Sequence, residues 1–318
     1  MSNSTRIEIV LNGLDGSNPL AFLAALGTLR TLSHALPTMP IKMSWQSGQH
    51  WMPMIVTETA VDQTAILDML ESQLVGKHDR PEFTTLGNDL SVTPLAFQAF
   101  AKSVATAASH SDRSSADFAA AYGCESTISA SSTSETIQDT ALRTMAGAGH
   151  QHFLGFMRNI IDATTRRHLD KTLFATWVYD DPVQNLTLRW DPVDDIRYAL
   201  QWRNPSGDPR RRSSGNMLGA NRLAIEGLPL FPTMPVGSRL ATTGFQGNRS
   251  SSTYWTWPIW KSPLTIDVVR SLLAYRLIQD HTPPRDELLQ IGVVEVFRSR
   301  RLTIGKVRNL TPARSVGH

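Results

Sequence analysis

The stretch RIEIVLNGLDGSNPLAFLAALGTLR, residues 6–30, decides how the chain begins to fold. Ile7, Ile9 and Leu11 alternate with Glu8 and Val10, which predicts a strand ending at Asn12-Gly13. Asn18 is a residue type that caps helices, and Pro19 fixes φ at the first helical position. Leu20, Leu23, Ala24, Leu26 and Gly27 then recur at helical spacing, so a helix is predicted through about Ala35. Gly costs about 1 kcal/mol against Ala inside a helix, so Gly27 is expected to permit the close approach of another backbone.

Outward from this start, short strands are predicted at residues 41–45 and 54–58, and helices at 61–74 and 93–108. Residues 126–135, with ISASSTS at their centre, are poor in large apolar side chains and read as a Ser-rich linker or loop. Beyond it, helices are expected from residue 153, over 166–177, 216–226 and 266–278. Strands are expected at 186–190 and 237–245, with a terminal hairpin of 293–297 and 302–304 around the basic Ser299 to Arg301. Sheet and helix alternate without a regular βαβ order, which argues an α+β fold of mixed sheet and helices. The expected organisation is two lobes: an acidic α+β lobe over 1–125, the linker, and a basic, Trp/Arg-rich α+β lobe over 136–318.

The composition narrows the class. Of the 318 residues 41% are hydrophobic, an ordinary globular value that excludes disordered and fibrous chains. Cys124 is the sole cysteine, which excludes an internal disulfide and a Cys-based zinc site and fits a reducing compartment. No stretch approaches 18 uncharged apolar residues, and the first residues lack a signal-peptide core, so a soluble, cytoplasmic protein with no membrane partner is expected. The net charge of +3 hides an asymmetry: residues 1–150 carry 8 Lys+Arg against 14 Asp+Glu, a net of −6, and residues 151–318 carry 23 against 14, a net of +9.

Arginine dominates the basic part, and its planar guanidinium suits phosphate contact. Three groups are candidate nucleic-acid contacts. Arg203, Asn204, Arg210, Arg211 and Arg212 stand in a Pro/Gly/Ser-rich loop, where a basic segment can follow a backbone and Asn204 can add a base-edge contact. Arg298, Arg300 and Arg301 belong to the terminal hairpin, with Arg298 and Arg300 on one face. Arg249 lies between Gly247-Asn248 and Ser250. Trp177, Trp190, Trp202 and the crowded Trp255, Trp257 and Trp260 add the aromatic component of a stacking surface, although core packing is the commoner role for any one of them.

Catalytic signatures are sparse. The sequence holds no G-x-x-x-x-G-K-[ST], no G-x-G-x-x-G after the first strand and no G-x-S-x-G. His150 and His152, beside Gly147 and Gly149, are candidates for phosphate binding or for a local turn. Asp180, Asp181, Asp191, Asp194 and Asp195 form the one acid cluster, readable as turn chemistry and arginine pairing or as ligands of a metal-dependent nuclease. The expectation is a protein without catalytic residues, metal or cofactor; a metal- or His-dependent nuclease and a structural scaffold are the alternatives.

The segment from Asn18 to Arg30, NPLAFLAALGTLR, resembles the opening strand-turn-helix of large-subunit proteins from type I CRISPR systems of the I-U/I-G group. Trp190-Asp191-Pro192 through Arg197-Tyr198-Ala199-Leu200, Gly219 to Ala224, Gly227 to Pro232 and Ala241 to Phe245 are similar to that group as well. The resemblance implies a non-catalytic subunit of a crRNA-guided antiviral surveillance complex. Its expected partners are crRNA-bound backbone subunits, target double-stranded DNA with its displaced strand, and a recruited helicase-nuclease. Its expected roles are target or PAM recognition and R-loop stabilisation.

Overall fold

Helix α1 (Pro19–Ala35) begins where the sequence places it. In the computed structural model, which describes residues 6–58, 61–110, 113–130, 135–145, 152–194, 215–247, 253–304 and 307–317, Asn18 Oδ1 accepts from the N–H groups of Leu20 at 2.8 Å and Ala21 at 3.1 Å. Two of the four donors that a helix start leaves without intrahelical partners are thereby satisfied. The helix is buried continuously from Pro19 to Leu32, as expected of one that is apolar on every side.

Two antiparallel sheets flank it. In the first, β1 (Ile7–Val10), β3 (Trp51–Thr57), β2 (Lys42–Ser47) and β10 (Leu264–Thr265) pair in that spatial order. The second runs β12 (Val307–Leu310), β11 (Val293–Ile304), β9 (Thr253–Trp260), β8 (Phe245–Gln246), with β13 (Arg314–Ser315) also on β11. Phe22 of α1 stacks on Trp45 of the first sheet and on Trp257 of the second, at centroid distances of 5.7 and 5.5 Å. The indole N–H groups of Trp257 and Trp260 donate to the carbonyls of Gly16 and Met43, and that of Trp190 to Leu142. Trp190, Trp255, Trp257 and Trp260 are therefore core residues that seam sheets, helix and loops together, the commoner of the two roles the sequence leaves open for them.

On its other side α1 meets α8 (Leu218–Gly227), a second wholly buried helix. A Cβ built on Gly27 would lie 1.8 Å from the Leu223 carbonyl oxygen, and one on Gly227 would lie 2.6 Å from that of Leu23. The two backbones touch, which is the close approach anticipated for Gly27. The joint carries charge. Arg30 Nη1 donates to Glu226 Oε2 at 2.9 Å, and Glu226 Oε1 accepts from Arg80 at 3.0 Å and from Arg222 at 3.1 Å. Although burial opposes its ionisation, the arginines Arg80, Arg222 and Arg30 hold the Glu226 carboxyl down at about 2.

Among the described residues the remaining α-helices are α2 (Gln63–Leu74), α3 (Pro81–Thr84), α4 (Pro94–Ala108), α5 (Ser114–Tyr122), α6 (Phe153–Ala163), α7 (Arg166–Phe174), α9 (Ile266–Leu273) and α10 (Arg285–Gln290). The fold is mixed α+β. One contiguous hydrophobic core runs from Leu11 to Leu310 and draws on both halves of the chain, so the two expected lobes share their interior.

Three local expectations are corrected. Described residues of the Ser-rich 126–135 segment form the facing strands β4 (Gly123–Ala130) and β5 (Glu135–Asp139), a hairpin rather than a linker. Residues 186–190 are not a strand, because Asn185 and Arg189 have positive φ and the Leu188 N–H is taken by the Asn221 side chain. Residues 293–304 form a single strand, not two: Phe297 and Ser299 point into the core while Arg298 and Arg300 alternate outward, so the basic run needs no turn. Among the described residues no helix is long and apolar enough to cross a membrane.

Candidate nucleic-acid interface

Antiparallel pairing of β11 with β12 sets Arg301 opposite Leu310 and Thr303 opposite Arg308. Residues on one face of a strand are two apart, so Arg301 and Arg308 share a face as diagonal neighbours. That face looks across to β7 (Arg239–Thr242), paired with β6 (Thr233–Val236), and to the segment after β5. Between them lies an open cavity of about 770 Å³ lined by Arg143, Arg239, Arg301 and Arg308, with Asp139 as its sole acidic residue among the described ones.

The cavity is held by polar clamps. Gln138 donates to the carbonyls of Ile128 and Ser238 at 3.0 Å and accepts from Leu240 N–H at 2.9 Å, which ties the two hairpins together. Arg301 Nη1 donates to the Ala141 carbonyl at 2.7 Å and Arg308 Nη1 to that of Arg143 at 3.3 Å, so both guanidinium groups are fixed on one chain segment. Phe245, on the same wall, stacks on Trp255 with an interplanar angle of 3°.

The four cations are not equivalent. Arg143 pairs with Asp139 and with Asp89, the latter at 2.8 Å, and is compensated within the protein. Arg239 is exposed and no acid among the described residues pairs with it, Arg301 or Arg308 through a salt bridge. Burial, then the neighbouring Arg308 charge, push Arg301 down to about 10, with Asp139 opposing. Arg301 is still protonated near neutral pH, but its charge is held at a cost that an anion entering the cavity would offset.

Of the candidate contacts drawn from the sequence that lie among the described residues, only Arg301 lines this cavity. Arg298 faces away and donates to Thr256 Oγ1 and to the carbonyls of Asp280 and His281, clamping the end of a 3-10 turn (Arg276–Gln279) onto the sheet. Arg300 is exposed on that same opposite face, so the structure separates the triplet. Arg203, Asn204, Arg210, Arg211, Arg212, Arg249 and His150 lie outside the described residues. His152 occupies the position before α6, where its carbonyl accepts from Phe156 N–H at 2.8 Å. Arg143 and Arg239 were missed: each is a lone arginine in its stretch of sequence, and only hairpin packing brings it to the strand pair. Arg308 was legible as part of the basic tail.

The acid cluster disperses. Asp180 and Asp181 pair with Lys171, and Asp181 also accepts from Leu218 N–H at the start of α8. Asp194 accepts from Thr187 Oγ1, and Asp195 lies outside the described residues. Asp191 is fully enclosed, accepting from Asn18 Nδ2, Tyr179 Oη and Val193 N–H, and burial together with the Asp194 charge raises it to about 7. Among the described residues no three His, Cys, Asp or Glu side chains gather as a metal site would require. Comparisons with family models, curated proteins and solved structures give no match.

Proposed function

We propose that the chain is a non-catalytic nucleic-acid-binding module that engages the phosphodiester backbone of a single strand through Arg239, Arg301 and Arg308. The observation that carries this reading is the arginine-lined cavity, in which three guanidinium groups meet a single, already paired carboxylate. Binding there releases counterions from the strand and relieves the crowding of Arg301 against Arg308. The partly buried ring of Phe245 supplies one stacking wall for a base. An open cavity of about 770 Å³ accommodates one or two nucleotides rather than a duplex.

The resemblance of residues 18–30 to the I-U/I-G large subunits supports the reading of this module as a subunit of a cytoplasmic crRNA-guided complex. There its strand is the displaced one, its neighbours are the crRNA-bound backbone subunits, and a helicase-nuclease does the cutting. PAM and target recognition belong to the same proposal.

The test is fluorescence anisotropy of a labelled single-stranded oligonucleotide across a salt series, with the wild type and an Arg239→Glu/Arg308→Glu double variant. The wild type is expected to bind with a steep negative dependence on salt. The double variant is expected to bind at least about tenfold more weakly, with a slope shallower by about 1.4. A salt slope unchanged by the two substitutions overturns the reading.

A further inference from the structure

A second cavity, of about 860 Å³, opens where α1, α2, α4 and α5 meet, on a set of elements distinct from the hairpins and strands of the first. Its basic wall holds Lys77, Arg80 and Arg113, with Arg30 behind them. Glu226 is the sole acid on the wall among the described residues, and both of its oxygens are engaged by arginines. Arg113 pairs with Asp117 at 2.9 Å, and Asp117 in turn faces Arg270 at 3.5 Å. The exposed Lys77 has no acid within salt-bridge distance among the described residues.

Arg80 is fixed by the protein itself, pairing with the buried Glu82 as well as with Glu226. Its guanidinium lies over the rings of Phe83 and Phe118 at 5.3 and 5.7 Å from the centroids, and its Nη2 donates to Ser114 Oγ at 2.9 Å. Ser114 and Ser115, the first turn of α5, line the same wall, so the positive end of that helix adds to the side-chain cations. The apolar residues of its lining are Pro37, Leu74 and Val104, of which Leu74 and Val104 are themselves buried.

We infer that this cavity binds a phosphate monoester carried on an organic body of nucleotide size, with the phosphate against Lys77 and Arg113. The charge arrangement asks for an anion, because the cations Arg30, Lys77, Arg80 and Arg113 outnumber the acids Glu226, Glu82 and Asp117 that pair with them. A cavity of about 860 Å³ asks for more than inorganic phosphate. Two sources share this chemistry, a free nucleotide and the 5′-phosphorylated end of a strand. The inference does not depend on strand binding at the first cavity, and either can fail without the other.

The experiment titrates the full chain by calorimetry with adenosine monophosphate, and separately with one short oligonucleotide bearing either a 5′-phosphate or a 5′-hydroxyl. The Lys77→Glu/Arg113→Glu variant is compared with wild type and with Arg239→Glu/Arg308→Glu, after urea unfolding has shown all three to be folded. Lys77→Gln/Arg113→Gln is the fallback where the charge reversal does not fold. Binding of the monophosphate, weakened about tenfold or more by the Lys77/Arg113 substitutions and untouched by those at Arg239 and Arg308, supports a free nucleotide. Preference for the 5′-phosphorylated oligonucleotide, lost in the same variant, supports a strand end. If neither the monophosphate nor the 5′-phosphate gives binding that senses Lys77 and Arg113, the inference is overturned.

Discussion

The arginines around Glu226 and those around Arg301 are the same residue type put to opposite uses. In the first region Arg30, Arg80 and Arg222 converge on one buried carboxylate and Arg80 also pairs with Glu82, so that a carboxylate of the fold reaches each guanidinium. In the second, Arg239, Arg301 and Arg308 face an open cavity whose one acid already belongs to Arg143. A count of arginines does not distinguish them. What does is whether a carboxylate reaches the guanidinium from within the fold, and the difference marks one cluster as structural and the other as a surface awaiting an anion.

The comparison breaks most sharply at Glu226. Glu226→Gln leaves three buried or half-buried guanidinium groups around a neutral amide, and the expected loss is about 3–5 kcal/mol of unfolding free energy, read from urea denaturation. The sign with pH follows from a carboxyl held at about 2 against an ordinary 4.5. Its contribution is complete above about 4.5 and disappears as pH falls through about 2, so the acid limb of the wild-type stability curve should flatten in the variant.

Asp191 sharpens the same rule from the acid side, since Asp194 stands beside it and its donors Asn18, Tyr179 and Val193 are neutral. Its folded value of about 7 lies above the ordinary 3.8, so the folded state holds a proton that the unfolded state has released. Stability from this group is full below about 3.8 and declines as pH rises to about 7. Asp191→Asn keeps acceptors for Asn18 and Val193 without the charge. It should gain on the wild type between pH 5 and pH 8 by an amount of the order of 2 kcal/mol, measured as the difference between unfolding free energies at those two values. No gain with rising pH would remove Asp191 from the rule.

Arg301→Leu tests the open cluster. Replacing a crowded, buried cation by an apolar side chain should leave stability within about 1 kcal/mol, while single-strand binding falls about tenfold. The smallest effect belongs to Arg300→Ala, on the outer face of the same strand. Its affinity for the strand should change by less than about twofold, and a larger loss would show that the binding face had been drawn on the wrong side of β11.

Much of the frame was legible in the sequence, because local chemistry and tertiary demand agree there. Asn18-Pro19 caps and opens α1, and Gly27 marks the contact with α8 at a position where no side chain fits. Where they disagree, the reading failed. Ser126 to Ser129 lack bulk, yet they are half of a hairpin whose partner strand supplies the buried Ile137. Trp255, Trp257 and Trp260 sit near arginines in sequence but their rings point to α1 and the first sheet, because β9 is buried on both faces. The cavity around Arg301 was half visible: strand alternation can separate Arg301 from Arg300, but Arg143 and Arg239 arrive through long-range packing that one sequence does not encode in any local pattern.

The contact between Gly27 and Leu223 also sets a clock. The apolar helix α1 touches a partner some 200 residues downstream, which at about 5–20 residues per second leaves it waiting about 10–40 s during synthesis. During that interval Phe22, Leu23 and Leu26 have neither α8 nor the Trp255 strand to cover them. The nascent chain is thereby a candidate client for holding chaperones, and its yield should respond to translation speed between residues 35 and 227 more than to any change downstream.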